Sequence, residues 1–544
     1  MSGKLKSFLM DRRDVLSLFG MGAGVAAAGV MLPEKVYAQS QKGTLVIGID
    51  ISDIVTLDPN RVATYTAPMV VNAAYDTLVT MKPGDVITIQ PRIATAWERL
   101  DEGKRWRFTI RDGVKFASGN SLTVEDVKWS FDRVINLKDQ PSGYIPHVER
   151  VEVVDRNHVD FHLKEADLPL LTILCAPNFA IFDRKQLEGV GGTAGPDANS
   201  KDKAVTWLNG NSAGSGAFRI ASWERSEQIQ LVRNPHYWGE KPAFERVIIR
   251  HLSDGAAQML ALRRGVFQAA FNLIPEQIAS LKGEPGIRIQ PLTSLDYCYM
   301  ALMQEAELNK AMAVKECRQA IGYAIDYDGI IKNLVGGSAV RPAHFLPIGV
   351  LGSTPEVAQK IGFRTDLAKA KELLVKGGYP DGFEFELAYS NATWVGVPYQ
   401  ALALKIQADL AQVGIKANLR PQDQLNMRTD YVGGKFRGGI VTYWNPQSPE
   451  NLNWAEAVVQ RVAKRCRWDI PKEIRDWTFD IAKIQDKKAA EAKWIEWQEK
   501  MVDQANLIVL FQPIYQIAVR EELAQLPLTA AGWVVELDGA TPKA

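Results

Sequence analysis

Residues 105–127 read RWRFTIRDGVKFASGNSLTVEDV, and two periodicities meet inside them. Trp106, Phe108 and Ile110 alternate with polar neighbours, so Arg105–Ile110 is expected as a strand with those three side chains on one face. Arg111, Asp112, Gly113 and Val114 turn the chain, with Gly113 at the position that needs positive φ. A helix is expected over 122–133, with Thr123 as N-cap and Glu125 and Asp126 beside the positive end of its dipole. Strand, turn and helix in one short stretch point to a mixed α/β fold rather than a sandwich or a bundle.

The pattern continues in both directions. Upstream, 43–51 (GTLVIGIDI) reads as a buried opening strand, 56–59 (TLDP) as a turn and 67–79 as an apolar helical run. Downstream, 151–163 forms a hairpin about Asp155, Arg156 and Asn157, and 189–203 is a loop rich in Gly, Asp, Asn and Ser. Alternating strands are expected at 217–223, 228–233 and 247–252. From about residue 291 longer βα units take over. Helices are expected at 315–324, 366–376, 399–412 and 489–504, and strands at 383–389 and 415–419. The expectation is at least two lobes with mixed sheets, and strong hairpin content in the first half.

Composition narrows the function classes. The chain has 544 residues, with 46% hydrophobic and 23% charged, the balance of a folded soluble protein. Mean hydropathy is −0.13, which argues against a polytopic membrane protein. Lys plus Arg (64) nearly equals Asp plus Glu (63), so no charge excess calls for a nucleic acid partner.

Residues 1–38 read as an address rather than as fold. Lys4, Lys6 and the pair Arg12 and Arg13 precede an uncharged, Gly- and Ala-rich run, and Val36, Tyr37 and Ala38 offer small residues before a cut. This is the pattern of a cleaved secretory signal, and the paired arginines suggest twin-arginine export. The segment holds five basic and three acidic side chains, so its removal takes the formal charge from +1 to −1. Export permits disulfides. Cys175, Cys298, Cys317 and Cys466 allow three full pairings, and the expectation is buried thiols with at most one bridge.

Catalytic and metal constellations are poorly represented. His158 and His162 sit in an alternating strand, where four residues span roughly 13 Å, too far for one metal. Gly214, Ser215 and Gly216 lack the Lys and helix start of a phosphate loop. Nothing brings together a nucleophile, a base and an orienting group. The expectation is a protein without enzymatic activity, metal or cofactor. Aromatic residues suggest binding instead. Tyr443 and Trp444 end a short apolar strand and enter a Pro-containing loop, where two large rings with polar tips would grip a small organic ligand. Trp394 and Tyr65 are similar candidates.

Further motifs recur along the chain: 56–59 (TLDP), 75–79 (YDTLV), 93–98 (IATAWE), the Trp106–Phe116 block with Gly119 and 123–127 (TVEDV), 214–218 (GSGAF), 231–238 (LVRNPHYW), 318–326 (RQAIGYAID) and 379–383 (YPDGF). In this order they resemble the large extracytoplasmic solute-binding proteins of ABC importers, the dipeptide, oligopeptide and nickel type known as family 5, over nearly all of the chain after the leader. The resemblance implies a two-lobed Venus-flytrap fold with an extra small domain. It divides the chain into a lobe I core (39–80, 208–290 and 505–544), an extra domain (81–207) and lobe II (291–504). It also implies a monomer in the periplasm that closes over a small organic solute and delivers it to membrane permease subunits. The implied ligand-binding residues are Tyr443 and Trp444 as apolar walls, Asn445 as a hydrogen-bonding group and Tyr65 from the opposite lobe. Peptide binders of the family place an Asp in the loop after the aromatic strand, where it meets the peptide's ammonium. Here Asn445 and Pro446 stand there, without an acid. A peptide is the family's default ligand, and an opine, a modified amino acid, a sugar derivative or another small organic solute stays open beside it. A sensor that hands the liganded protein to a membrane receptor and a secreted enzyme on the same fold are the remaining alternatives.

Overall fold

The computed structural model describes residues 43–166, 170–444, 449–531 and 534–543. The expected leader, residues 1–38, and Asn445 lie outside the described residues.

A mixed sheet of twelve strands organises the chain. One half runs Lys416–Gln422, Glu384–Ser390, Gly439–Trp444 and Tyr297–Leu302. The other runs Ala269–Ala270, Thr44–Ile49, Arg246–His251, Gln228–Arg233 and Phe218–Glu224. The long strand Leu507–Arg520 belongs to both. Its first part pairs antiparallel with Tyr297–Leu302, from Ala301 opposite Leu507 to Cys298 opposite Phe511. Its second part pairs with Ile287–Thr293, from Thr293 opposite Ile514 to Ile287 opposite Arg520.

The partner changes at Gln512 and Pro513 on one segment and at Ser294, Leu295 and Asp296 on the other. Pro513 has no N–H to give the ladder, so regular pairing on the edge facing Ser294 stops there, while Ala339–Val340 pairs with Gln512 and Pro513 on the other edge. Local hydrogen bonds replace it. The Pro513 carbonyl accepts from Ser294 N at 3.1 Å and from Ser294 Oγ at 3.0 Å. Gln512 Nε2 donates to the carbonyls of Ser294 and Ile348 at 2.6 and 2.9 Å, and its Oε1 accepts from Ile348 N at 2.8 Å. Two short crossings, pinned by one buried amide, join the half-sheets.

Each half buries its own core. Leu45, Ile47, Leu231 and Ile249 pack in one, and Met300, Leu387, Ile406 and Leu510 in the other. A separate antiparallel sheet has the order Ala94–Leu100, Arg105–Ile110, His158–Leu163, Val148–Val153. Helix Val124–Leu137 packs against it with a capping box between Thr123 and Asp126, and its Phe131 meets Phe161 edge-on at 4.7 Å. The expected helix thus forms and runs four residues further. On the same helix Arg133, fully buried, donates to Asp58 at 2.7 and 2.9 Å and to Asp202 at 3.0 Å through two nitrogens. That ties the 56–59 turn and the 189–203 loop to one guanidinium. The loop is more ordered than its composition suggests, and carries the short helix Ala198–Lys201.

The 67–79 helical run is shorter than expected. It is helical over Ala67–Ala74 and becomes a strand at Val79–Lys82. The physical reason is the approach of another segment: Gly216 N donates to the Ala74 carbonyl at 3.2 Å, and a Cβ on Gly216 would lie 2.5 Å from Ala74 C. This close backbone contact is the work of Gly214 and Gly216. All four cysteines are buried free thiols, with burial raising Cys317 to about 11 and Cys175 and Cys466 to about 12. No bridge forms among them.

Candidate functional site

A cavity of about 610 Å³ lies against the crossing segments. That volume suits a small organic molecule. Ser294 and Asp296 enter its wall from one crossing and Tyr515 from the other. Sheet pairing at this place therefore sets the position of an acid and a phenol together. Tyr515 donates a short hydrogen bond to Asp296 Oδ2, and the Tyr65 ring meets the Tyr515 ring edge-on at 6.3 Å. Burial first, and then the Asp296 charge, push the Tyr65 and Tyr515 hydroxyls well above the ordinary tyrosine range. Both phenols are neutral donors across the physiological range.

Asp53 supplies the second acid. Its Oδ2 accepts from the backbone N–H groups of Tyr65 and Thr66 at 2.8 and 2.9 Å, which fixes the carboxylate at the start of helix Ala67–Ala74. Its Oδ1 is buried and has no partner among the described residues.

The aromatic wall comes from strand Gly439–Trp444. Alternation along a strand sends neighbouring side chains to opposite faces, yet both Tyr443 and Trp444 line the cavity because the strand ends there. Trp394 stacks on Tyr443, with centroids 5.3 Å apart and planes 16° apart. It is absent from the cavity lining and supports the Tyr443 ring instead. Phe345 meets Trp444 edge-on at 5.2 Å, and Trp444 Nε1 is buried without a partner among the described residues. Burial raises the Tyr443 hydroxyl, while the Arg428 and Asp296 charges pull it in opposite directions.

Three arginines complete the lining. Arg428 stands on helix Gln424–Val432. Arg461 belongs to a π-helical turn, Ala457–Val462, and Arg465 to Ala463–Cys466, which follows it. Arg461 lies over the Trp444 ring at 5.0 Å and Arg465 over the Tyr431 ring at 4.9 Å. Arg461 is exposed at its edge, but partial desolvation against the cavity wall lowers it, Glu456 offsets this in part, and the like charge of Arg465 lowers it further. Tyr431 is held in turn by a 2.8 Å hydrogen bond between its hydroxyl and that of Tyr299.

The cavity thus brings together three of the expected residues, Tyr65, Tyr443 and Trp444; the fourth, Asn445, falls outside the described residues. It adds Asp53, Asp296, Arg428, Arg461 and Arg465, which the sequence reading did not single out. A usable signal existed for two of them, because Arg461 and Arg465 have the i,i+4 spacing that places side chains on one helical face. Among the described residues no group of three or more His, Cys, Asp or Glu side chains is placed to hold a metal ion.

Comparison with known proteins agrees with this architecture. A probable D,D-dipeptide-binding periplasmic protein of Escherichia coli, DdpA, is 28% identical over 496 residues, covering 90% of this chain and 92% of its own. The solved structure of HbpA2 from Haemophilus parasuis superposes with a TM-score of 0.79 at 21% identity, over 92% of this chain and 100% of that one. The DppA periplasmic binding protein of Helicobacter pylori, in complex with the peptide STSA, gives a TM-score of 0.70 at 23% identity, over 91% and 98%. These neighbours share the two-lobed periplasmic binding protein fold, as expected from the half-sheets and their paired crossings. The model of the middle region of bacterial extracellular solute-binding proteins, family 5, matches residues 88–461, and this chain belongs to that family.

Proposed function

We propose that the protein captures a short peptide or peptide-like solute in the cavity between its lobes, in the periplasm, and delivers it to the permease of an ABC importer. One observation carries the reading: a single cavity holds the carboxylates of Asp53 and Asp296 and the guanidiniums of Arg428, Arg461 and Arg465. A zwitterionic ligand needs counter-charges of both signs, since a buried ammonium or carboxylate left alone costs several kcal/mol. The absence of an acid at Asn445 does not exclude a peptide, because Asp53 and Asp296 offer the ammonium another partner. Relatives that bind dipeptides or a bound peptide by name support the same ligand class.

In this reading Tyr443 and Trp444 form apolar walls, Tyr65 closes the cavity from lobe I and Asn445 offers a hydrogen bond. The protein acts as a monomer, without cofactor and without chemistry of its own. The lobe I core takes residues 39–80, 208–290 and 505–544, the extra domain 81–207 and lobe II 291–504. Residues 1–38 act as a twin-arginine leader. The four buried free thiols support that route, being what a chain folded before leaving a reducing compartment would keep.

Thermal shift followed by calorimetry tests the proposal. Dipeptides with a free ammonium should raise the melting temperature, with about 2.7 kcal/mol of stabilisation at one hundred times Kd, and their N-acetylated forms should bind far more weakly. Stabilisation by an opine or sugar derivative, with no response to any dipeptide, would overturn it.

A further inference from the structure

We propose that the arginine wall receives two anionic groups, so that, on the peptide reading above, the preferred ligand is an acidic short peptide with one ammonium and two carboxylates.

Several arginines elsewhere in the chain are neutralised or saturated. Arg92 pairs with Asp76, Arg105 and Arg107 with Asp160, and Arg133 with Asp58 and Asp202. Arg318 has no carboxylate but is saturated by the carbonyls of Met312, Ala313, Gln504 and Ala505. The cavity arginines follow neither pattern: Arg428 and Arg461 are exposed and Arg465 is half-buried, so their charges face the cavity solvent. Among the described residues none of the three has a carboxylate within 4 Å. Arg461 makes one long hydrogen bond, 3.5 Å to the Asn453 carbonyl, and otherwise rests on Trp444. Residues 445–448, which follow Trp444 in the sequence, contain no acid.

A single carboxylate offers about four lone-pair sites, which two bidentate arginines fill. Three guanidiniums with the unpaired Trp444 Nε1 exceed that capacity. Their charges also oppose one another, as Arg465 does Arg461, and a second anionic group relieves this repulsion. The count agrees from the other direction. Within the lining, three guanidiniums against the carboxylates of Asp53 and Asp296 leave one positive charge over. A ligand with one ammonium and two carboxylates carries the matching negative charge. The π-helical turn supplies the geometry. Such turns rotate the side chains that follow them and recur at functional sites, and here the turn contains Arg461 and directly precedes the segment bearing Arg465.

Calorimetry on the full mature chain with Ala-Ala, Ala-Glu, Ala-Lys and N-acetylglutamate tests this. Ala-Glu should bind at least about tenfold more tightly than Ala-Ala, with Ala-Lys weakest. Arg461→Gln and, separately, Arg428→Gln on the more exposed helix should each narrow the Ala-Glu preference, and Arg461→Lys should restore part of it. Equal affinity for Ala-Ala and Ala-Glu overturns the two-anion wall and leaves the peptide reading standing. So does a preference that survives both glutamine variants in folded protein. Binding of N-acetylglutamate with no response to any dipeptide supports the two-anion wall and removes the peptide reading. No binding by any of the four overturns both.

Discussion

The Arg461 guanidinium carbon stands 5.0 Å from the centroid of the Trp444 ring, and the same ring meets Phe345 edge-on at 5.2 Å. Trp444 therefore does two jobs: it offers apolar surface to the cavity and holds a cation in place. Its Nε1 faces no partner among the described residues. Trp444→Phe keeps the ring and loses the donor, so affinity should fall by roughly fivefold, the worth of one net hydrogen bond. Trp444→Ala loses the ring as well and frees Arg461, and the fall should reach roughly thirtyfold or more. Calorimetry on both variants checks the order, and equal losses would remove the donor role.

Asp53 separates charge from scaffold. Its Oδ2 accepts two backbone N–H groups, from Tyr65 and Thr66, while its buried Oδ1 is unpaired. Asp53→Asn preserves an acceptor for the backbone and removes the negative charge. Affinity for peptides with a free ammonium should drop about tenfold to one hundredfold, as for loss of a sheltered charge pair. Affinity for N-acetylated analogues should hardly change. A uniform loss for both classes, seen by calorimetry, would mean that Asp53 only shapes the loop.

Most of the fold could be read from the chain because its signals are local. Thr123 caps the helix that follows it, and the alternation in Arg105–Ile110 marks its strand. Where segments distant in sequence meet, the reading had less to use. Asp76 accepts from Arg92 Nε at 2.6 Å, Ser215 Oγ at 2.7 Å and Trp238 Nε1 at 2.8 Å. One buried carboxylate thus gathers three of the motifs along the chain, and the same convergence ends the 67–79 helix early. Asp76→Asn leaves the Arg92 charge buried without compensation. It should destabilise the protein by about 3–5 kcal/mol, read in urea unfolding, while ligand affinity in the folded protein stays unchanged.

The site was only partly legible for a related reason. Tyr443 and Trp444 announce themselves as adjacent rings at a strand end. Asp296 does not, since a lone acid before an apolar strand looks like any turn residue until the two crossings bring it to Tyr515 and Tyr65. Asp53 and Arg428 are equally ordinary in sequence. Asp296 owes its role to Tyr65 and Tyr515, each more than two hundred positions away. Asp53 and Arg428 owe theirs to a cavity whose walls come from segments that no single window of sequence contains.

His344 gives the fold a one-sided sensitivity to acid. The imidazole is fully sheltered beside Trp497; its Nε2 donates to Asn506 Oδ1 at 3.1 Å, and Nδ1 has no partner among the described residues. Burial, opposed in part by the Asn506 contact, lowers its pKa to about 3. An unfolded histidine titrates near 6.5. Between these values the unfolded chain binds a proton that the folded chain refuses, so stability falls as pH drops through this window. The contribution of this one group between pH 6 and pH 4 is about 2–3 kcal/mol. In His344→Gln, which retains an amide donor for Asn506, urea unfolding should show some loss at pH 7 but a pH 6 to pH 4 decline smaller by that amount. An undiminished decline would place the acid sensitivity elsewhere.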